Sequence, residues 1–366
     1  MALSRICIEQ SAAQDPQVNS ICSRLNLPVQ IVQDPRQVYE LVLDSDDPVK
    51  KGKEILFLTH NQGSFIKKCP GTKCYTCCGY MILHIGTYCN MDCSYCILQS
   101  YFHPPVLQYF INQNNMLAEL DSVFAQKNIR RMGTGEYTDS MIWEFWTDLA
   151  QMLVNKFAAQ SYTALELKTK TTAIDKLEHL EHNKKTIMSW SVNTETVIRE
   201  NERKTASLTA RLEAAARCQS WGYPIGFHFD PMVIYPGYQA DYKHVVKQIF
   251  KYISPANLVW ISMGTFRFMP PLKNIIQKRF PGSKIIYGEF ISGLDDKMRY
   301  FKPLRIDLYK AVYSCIKETA PDVPVYFCME DDEVWKKSFG FIPSEYKSLP
   351  EILDISAINH CQLEFN

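Results

Sequence analysis

The sequence has no long apolar run. No stretch stays apolar for the roughly 20 residues that a membrane-crossing helix needs, and the first ten residues lack a basic start followed by an apolar stretch. These absences argue against a membrane-anchored or secreted chain and lead to the expectation of a soluble, cytoplasmic protein. An excess of one charge is missing too: 40 Lys and Arg stand against 39 Asp and Glu, for a net charge of +1. No global field draws the chain to nucleic acid, so any such contact must use a local basic face. There is no internal repeat and no low-complexity tract.

Cysteine, by contrast, is plentiful. The chain has 13, an odd number, crowded between Cys69 and Cys96. That distribution argues against a secreted disulfide framework and for metal chemistry in a reducing compartment. Cys7, Cys22, Cys218, Cys315, Cys328 and Cys361 are scattered and read as inert, packed thiols.

Residues 1–79 mix polar stretches with short apolar runs and read as an N-terminal lead-in ending in a cysteine-rich segment. From residue 80 to 264, short apolar runs alternate with longer amphipathic stretches, the pattern of repeated βα units on a parallel sheet. Strands are expected at 80–85, 129–133, 164–168, 186–192, 224–229 and 258–263, with helices at 119–126, 140–157, 206–221 and 242–252. Six such units predict an α/β fold, a partial (β/α)6 TIM-like barrel with its chemistry at the carboxyl ends of the strands. Residues 265–366 read as a C-terminal extension closing the barrel, with a helix at 273–280, an extended run at 285–288, and a Lys/Arg-rich segment at 293–310 interleaved with aromatics.

Cys89, Cys93 and Cys96 follow the first expected strand. Three thiolates within one short loop suit three corners of a [4Fe–4S] cubane, and the fourth iron stays open for a chelating cofactor. A structural zinc site is the competing reading, with Cys93-x-x-Cys96 as one half and Cys74-x-x-Cys77 as the other. It would leave a non-enzymatic protein binding nucleic acid through its basic C-terminal segment. The position of the loop at the top of a first barrel strand favours the cluster.

The C-x3-C-x2-C spacing resembles the radical S-adenosylmethionine (SAM) superfamily, with Gly133-Thr134-Gly135-Glu136 similar to its glycine–glutamate segment. Over roughly residues 65–310 the chain resembles the spore photoproduct lyase family. That resemblance rests on Cys96-Ile97-Leu98-Gln99, Thr169-Lys170, Ser191-Val192-Asn193, Arg211-Leu212-Glu213-Ala214-Ala215, Gly222-Tyr223-Pro224-Ile225-Gly226-Phe227 and Lys297-Met298-Arg299-Tyr300.

The resemblance implies a [4Fe–4S] cluster and SAM as cofactors, and a lyase that generates a 5′-deoxyadenosyl radical. Repair of a UV-induced thymine lesion in DNA is its most specific form, with an electron donor such as flavodoxin or ferredoxin. It places Tyr95 against the SAM adenine, Gly135 and Glu136 at the amino group with Asp139 beside them, and Lys170 at the carboxylate. Ser191 and Asn193 face the ribose or carboxylate, Asp230 faces SAM, and Arg299 and Tyr300 face the lesion.

Two positions depart from the family pattern. The family's hydrogen-donor cysteine is replaced by Tyr137, or by Glu136 if the register slips, and Ile97 stands where a relay tyrosine is expected. Tyr137 and the retained Tyr95 are the candidate catalytic residues. The cysteines at 69, 74, 77 and 78 are candidates for a second metal or for the missing donor. A radical SAM enzyme acting on a modified nucleoside, peptide or small metabolite is the alternative.

Overall fold

The computed structural model describes residues 3–71 and 74–364. Thr72 and Lys73 of the cysteine-rich segment lie outside the described residues.

Seven strands make the central parallel sheet: β1 (Met81–Leu83), β2 (Arg131–Gly133), β3 (Ala164–Thr169), β4 (Thr186–Ser191), β5 (Ile225–Met232), β6 (Leu258–Thr265) and β7 (Val325–Phe327). They lie side by side in chain order, and Ile66–Lys68 pairs antiparallel with β1 at the edge. Every residue of β4 and β6 is buried, as expected for strands of a curled sheet covered by helices. The six expected strands are therefore present as a partial barrel. The seventh was not legible because β7 follows β6 only after residues 266–324, which hold other strands and helices and break the regular alternation.

The helices Gln113–Gln126, Leu208–Ser220 and Tyr238–Tyr252 match three of the expected amphipathic stretches. Ser207 starts the second of these by accepting a hydrogen bond from the Ala210 N–H. The expected helix at 140–157 is instead a 3₁₀ turn at Ile142–Phe145 and a helix at Leu149–Ala158. Its interruption has a local cause. Thr147 donates its hydroxyl back to the Trp143 carbonyl, and the Glu144 carboxylate takes the Ala150 N–H, so side chains replace helical bonds.

The lead-in is more organised than its sequence suggested. Arg5–Glu9, Val29–Val32 and Ile55–Thr59 form a parallel sheet that continues through Leu107–Phe110 to Gly86–Thr87. Its last two strands thus come from the segment after β1, which ties the cysteine loop to the N-terminal unit.

After β6, Arg267–Phe268, Met298–Tyr300 and Phe290–Ser292 make a small antiparallel sheet. The extended run expected at 285–288 is turn, and the strand begins at Phe290. The helix Lys302–Thr319 packs on Tyr238–Tyr252, and Leu349–Cys361 packs on β6, where Ser356 donates to the Val259 carbonyl at 2.6 Å. Among the described residues no helix is long and apolar enough to cross a membrane.

Candidate active site

The strand ends open into a cavity of ≈ 300 Å³. Cys89, Cys93 and Cys96 all line it. The loop that carries them is held from several sides. Gly86 sits so close to the neighbouring strand that a Cβ would lie 2.5 Å from the Gln108 carbonyl oxygen, which only glycine avoids. Gln99 donates its amide to the carbonyls of Cys93, Ser94 and Cys96 at 3.1, 3.1 and 3.3 Å. Asp92 is paired with the buried Lys53 at 2.9 Å and with Arg279 at 3.1 Å, so cations from the N-terminal unit and the C-terminal extension both hold the loop. The Met91 N–H points at the Cys89 sulfur, 3.4 Å away.

Backbone N–H to sulfur and three thiols on one cavity wall fit a cubane. A single ion fits less well. Among the described residues no three His, Cys, Asp or Glu side chains are gathered tightly enough to hold one metal ion. The corners of a cubane keep its thiolates further apart than one ion's tetrahedron does. The zinc pairing is not brought together either: Cys74 and Cys77 are exposed and line a separate surface recess.

Tyr95 is buried, and its hydroxyl donates to Glu202 at 2.5 Å. Glu202 is also paired with Arg211, and both side chains are wholly removed from solvent. Arg211 further donates to the carbonyls of Ser191 at 2.8 Å and Ala206 at 3.0 Å, so one buried chain of groups fixes Tyr95 and the end of β4 together. Lys170 lines the cavity with its ammonium 5.9 Å from the Tyr95 ring centre. Among the described residues no hydrogen bond or ion pair reaches that ammonium.

Asp139 accepts from the Lys170 N–H and the Thr169 hydroxyl, each at 2.8 Å, and so holds the turn that presents Lys170. Burial raises its pKa. Gly135 and Glu136 line the cavity next to it, and a Cβ on Gly135 would lie 2.9 Å from the Cβ of Lys168.

Ser191 and Asp230 line the cavity as well, Asp230 in an ion pair with Arg267 at 3.2 Å. Asn193 does not. Its amide donates to the Pro231 carbonyl at 2.7 Å and its oxygen accepts from Tyr242 at 2.8 Å, which ties β4 to β5 behind the cavity wall.

Besides Asn193, three further expected site residues point elsewhere. Tyr137 is absent from the cavity lining, and its ring packs with His84 at 4.9 Å and with Tyr101 and Phe102 at 6.0 Å. Its neighbours Glu136 and Thr138 take the cavity side. Arg299 is buried, bound to Asp295 at 2.7 Å and to the Met329 carbonyl at 3.0 Å. Tyr300 is buried against Phe290. Both fasten the small sheet, while Lys297 and Met329 beside them line the cavity.

The inner end of the cavity was missed from the sequence. Glu166 and Lys168 of β3 line it, with His228 of β5 and Ser262 of β6. Glu166 accepts from Ser189 at 2.6 Å, His228 at 2.8 Å and Trp260 at 3.0 Å. Burial works against its charge, but His228, Lys168 and these hydrogen bonds outweigh it and hold the carboxyl down at about 2. A signal existed: Glu166, Lys168 and Lys170 alternate with Leu165 and Leu167, as His228 and Asp230 do with Phe227 and Phe229. Charged residues at every second position of a buried strand mark the face turned into a barrel.

A three-cysteine loop on the first strand of a partial barrel, sharing its cavity with a glycine–glutamate segment and a free lysine, defines a radical SAM enzyme, which uses a [4Fe–4S] cluster and SAM. The family model for spore photoproduct lyase matches residues 72–323, and the chain belongs to that family. It is 26% identical over 241 residues to a spore photoproduct lyase of Bacillus subtilis (strain 168), covering 64% of this chain and 68% of that one. To one from Clostridium acetobutylicum it is 25% identical over 248 residues, covering 67% and 71%. A solved spore photoproduct lyase double mutant with bound AdoMet and dinucleoside spore photoproduct superposes with a TM-score of 0.79 at 20% identity, over 88% of this chain and 98% of that one. A second, complexed with dinucleoside spore photoproduct, gives 0.78 at 20% identity, over 89% and 98%.

Proposed function

We propose that this chain repairs a methylene-bridged thymine dimer in DNA by radical SAM chemistry. The observation that carries the reading is one cavity shared by the three loop thiols and the unpaired Glu136 and Lys170, in a chain of this family. When bound, the cluster on Cys89, Cys93 and Cys96 supplies the electron that splits SAM into methionine and a 5′-deoxyadenosyl radical. Lys170 holds the methionine carboxylate and Glu136 the amino group, each charge finding outside the chain the partner it lacks within it. Tyr95, fixed by Glu202, supports the adenine, and Ser191 meets the ribose. Gly135 leaves room for the Lys168 side chain beside the cofactor.

The inner end around Glu166, Lys168 and His228 receives the lesion. The bridge breaks after hydrogen abstraction, and a hydrogen returns to the product. A flavodoxin- or ferredoxin-type protein charges the cluster.

The test is anaerobic reconstitution with SAM, a reductant and a spore photoproduct dinucleotide. Formation of 5′-deoxyadenosine together with restored dithymidine is expected. One observation favours a second reading, a radical SAM enzyme on another substrate: Glu166, Lys168 and the Asp230–Arg267 pair give the cavity more charge than an uncharged base dimer requires. SAM cleavage that leaves the dinucleotide intact would select that reading. Transfer of labelled hydrogen from candidate compounds into 5′-deoxyadenosine would then identify the substrate.

A further inference from the structure

Three thiols not used above line the cavity. Cys69 and Cys78 come from the segment before β1, and Cys328 from the residue after β7. They are remote in sequence but near in space: Cys328 acts electrostatically on both of the others. Nothing local in the sequence singles out Cys328, which directly follows the short strand β7.

Cys328 is set among charged groups from three sides of the barrel. Arg267, Asp230, Glu136 and Lys168 all act on it, and all line the cavity. Its N–H bonds to the Met263 carbonyl at 3.4 Å, which fixes it at the end of β6. Burial pushes its thiol up to about 11, so sulfur keeps its hydrogen at neutral pH. Cys69 is likewise pushed up to about 12 by burial. Cys78 differs, because its thiol hydrogen is engaged by Cys77.

An S–H bond is close in strength to the C–H bond of a methyl group on a double bond, so a thiol can return a hydrogen atom to the allylic product radical at little energetic cost. Tyr137 does not line that cavity, and its ring packs on His84, Tyr101 and Phe102.

We infer that Cys328 is the hydrogen-atom donor of this chain, an inference that rests on the repair reading above. The step balances simply. The S–H bond of Cys328 breaks homolytically, a C–H bond forms on the product carbon, and a thiyl radical remains on sulfur. One electron, from the same flavodoxin- or ferredoxin-type reductant that charges the cluster, and one proton from solvent return the thiyl to thiol.

The test uses the reconstituted holoenzyme with SAM, reductant and the spore photoproduct dinucleotide in deuterium oxide. Wild-type product should carry a single deuterium in the restored methyl group, because thiol hydrogens exchange with solvent. Cys328→Ala and Cys328→Ser should restore about tenfold less dithymidine per SAM consumed than wild type. A readout independent of turnover is alkylation of Cys328 by iodoacetamide, followed by peptide mass, which the dinucleotide should slow. The inference is overturned if Cys328→Ala keeps the wild-type yield and deuterium content. It is equally overturned if Cys69→Ala or Cys78→Ala loses them while Cys328→Ala does not. Failure of the repair reading looks different, since it appears in the wild type as SAM cleavage without dinucleotide turnover.

Discussion

Replacing Glu202 by glutamine removes one charge from a pair that has no solvent to fall back on. Both the Glu202 and Arg211 side chains are 0% exposed. The guanidinium keeps its bonds to the carbonyls of Ser191 and Ala206 but loses its counter-charge. Breaking a buried pair from one side costs about 3–5 kcal/mol. Against a total stability of about 5–15 kcal/mol, that is a large share. For a chain of 366 residues each kcal/mol shifts the melting midpoint by about 1.3 °C, so a midpoint lower by roughly 4–7 °C follows.

The pair also sets an acid limit. Burial raises the Glu202 pKa, while Arg211, Lys170 and the hydrogen bonds from Arg211 and Tyr95 lower it further than burial raises it. With the folded value below the unfolded one, the stabilisation is full above the ordinary glutamate pKa of about 4.3 and is lost as pH falls through the folded value. Glu202→Gln should therefore flatten the acid side of the stability profile. Tyr95 loses its charged acceptor in the same variant, so SAM affinity should fall as well.

Chemical denaturation of Glu202→Gln, Arg211→Met and the double variant Glu202→Leu/Arg211→Met tests the argument. The double variant should recover most of the loss, because an apolar pair leaves no stranded charge. A loss below about 1 kcal/mol in the single variants, or a double variant no better than the worse single, would refute the reasoning.

Other expectations follow from the same geometry. Cys93→Ala should remain folded by circular dichroism yet lose bound iron and all SAM cleavage; retention of full iron content would contradict the ligand assignment. Lys53→Met removes a buried cation that holds Asp92, so reconstituted protein should lose its cluster faster under a chelator than wild type, a comparison made by following visible absorbance. In Gly133→Ala the new Cβ would lie 1.8 Å from the Tyr80 hydroxyl, which predicts a loss of about 1–3 kcal/mol in denaturation that Tyr80→Phe partly restores. Tyr137→Phe should leave dithymidine yield within about twofold of wild type, since the ring faces His84, Tyr101 and Phe102; abolished yield would return the donor role to that phenol.

Much of the fold could be read in advance because buried parallel strands alternate with amphipathic helices, and both periods are long enough to register. Segments governed by tertiary contact were not legible. β7 follows β6 only after residues 266–324, and the sheet of the lead-in is completed by residues 86–87 and 107–110, a pairing that no local pattern announces. In the site, the cysteine loop was plain because its three ligands are neighbours in sequence. Lys170 was found through resemblance, but its support by Asp139 is a contact across 31 residues. Arg299 and Tyr300 were placed at the lesion by motif alone, whereas packing turns both inward. Cys328 was set aside as a packed thiol because nothing local links it to residues 69 and 78.

The most direct test of the central claim is electron paramagnetic resonance of the anaerobically reconstituted, reduced protein, with iron and zinc quantified on the same sample. A cluster on Cys89, Cys93 and Cys96 predicts about four iron atoms per chain and a reduced [4Fe–4S] signal that changes when SAM is added. Zinc in place of iron, or a cluster signal indifferent to SAM, would contradict it.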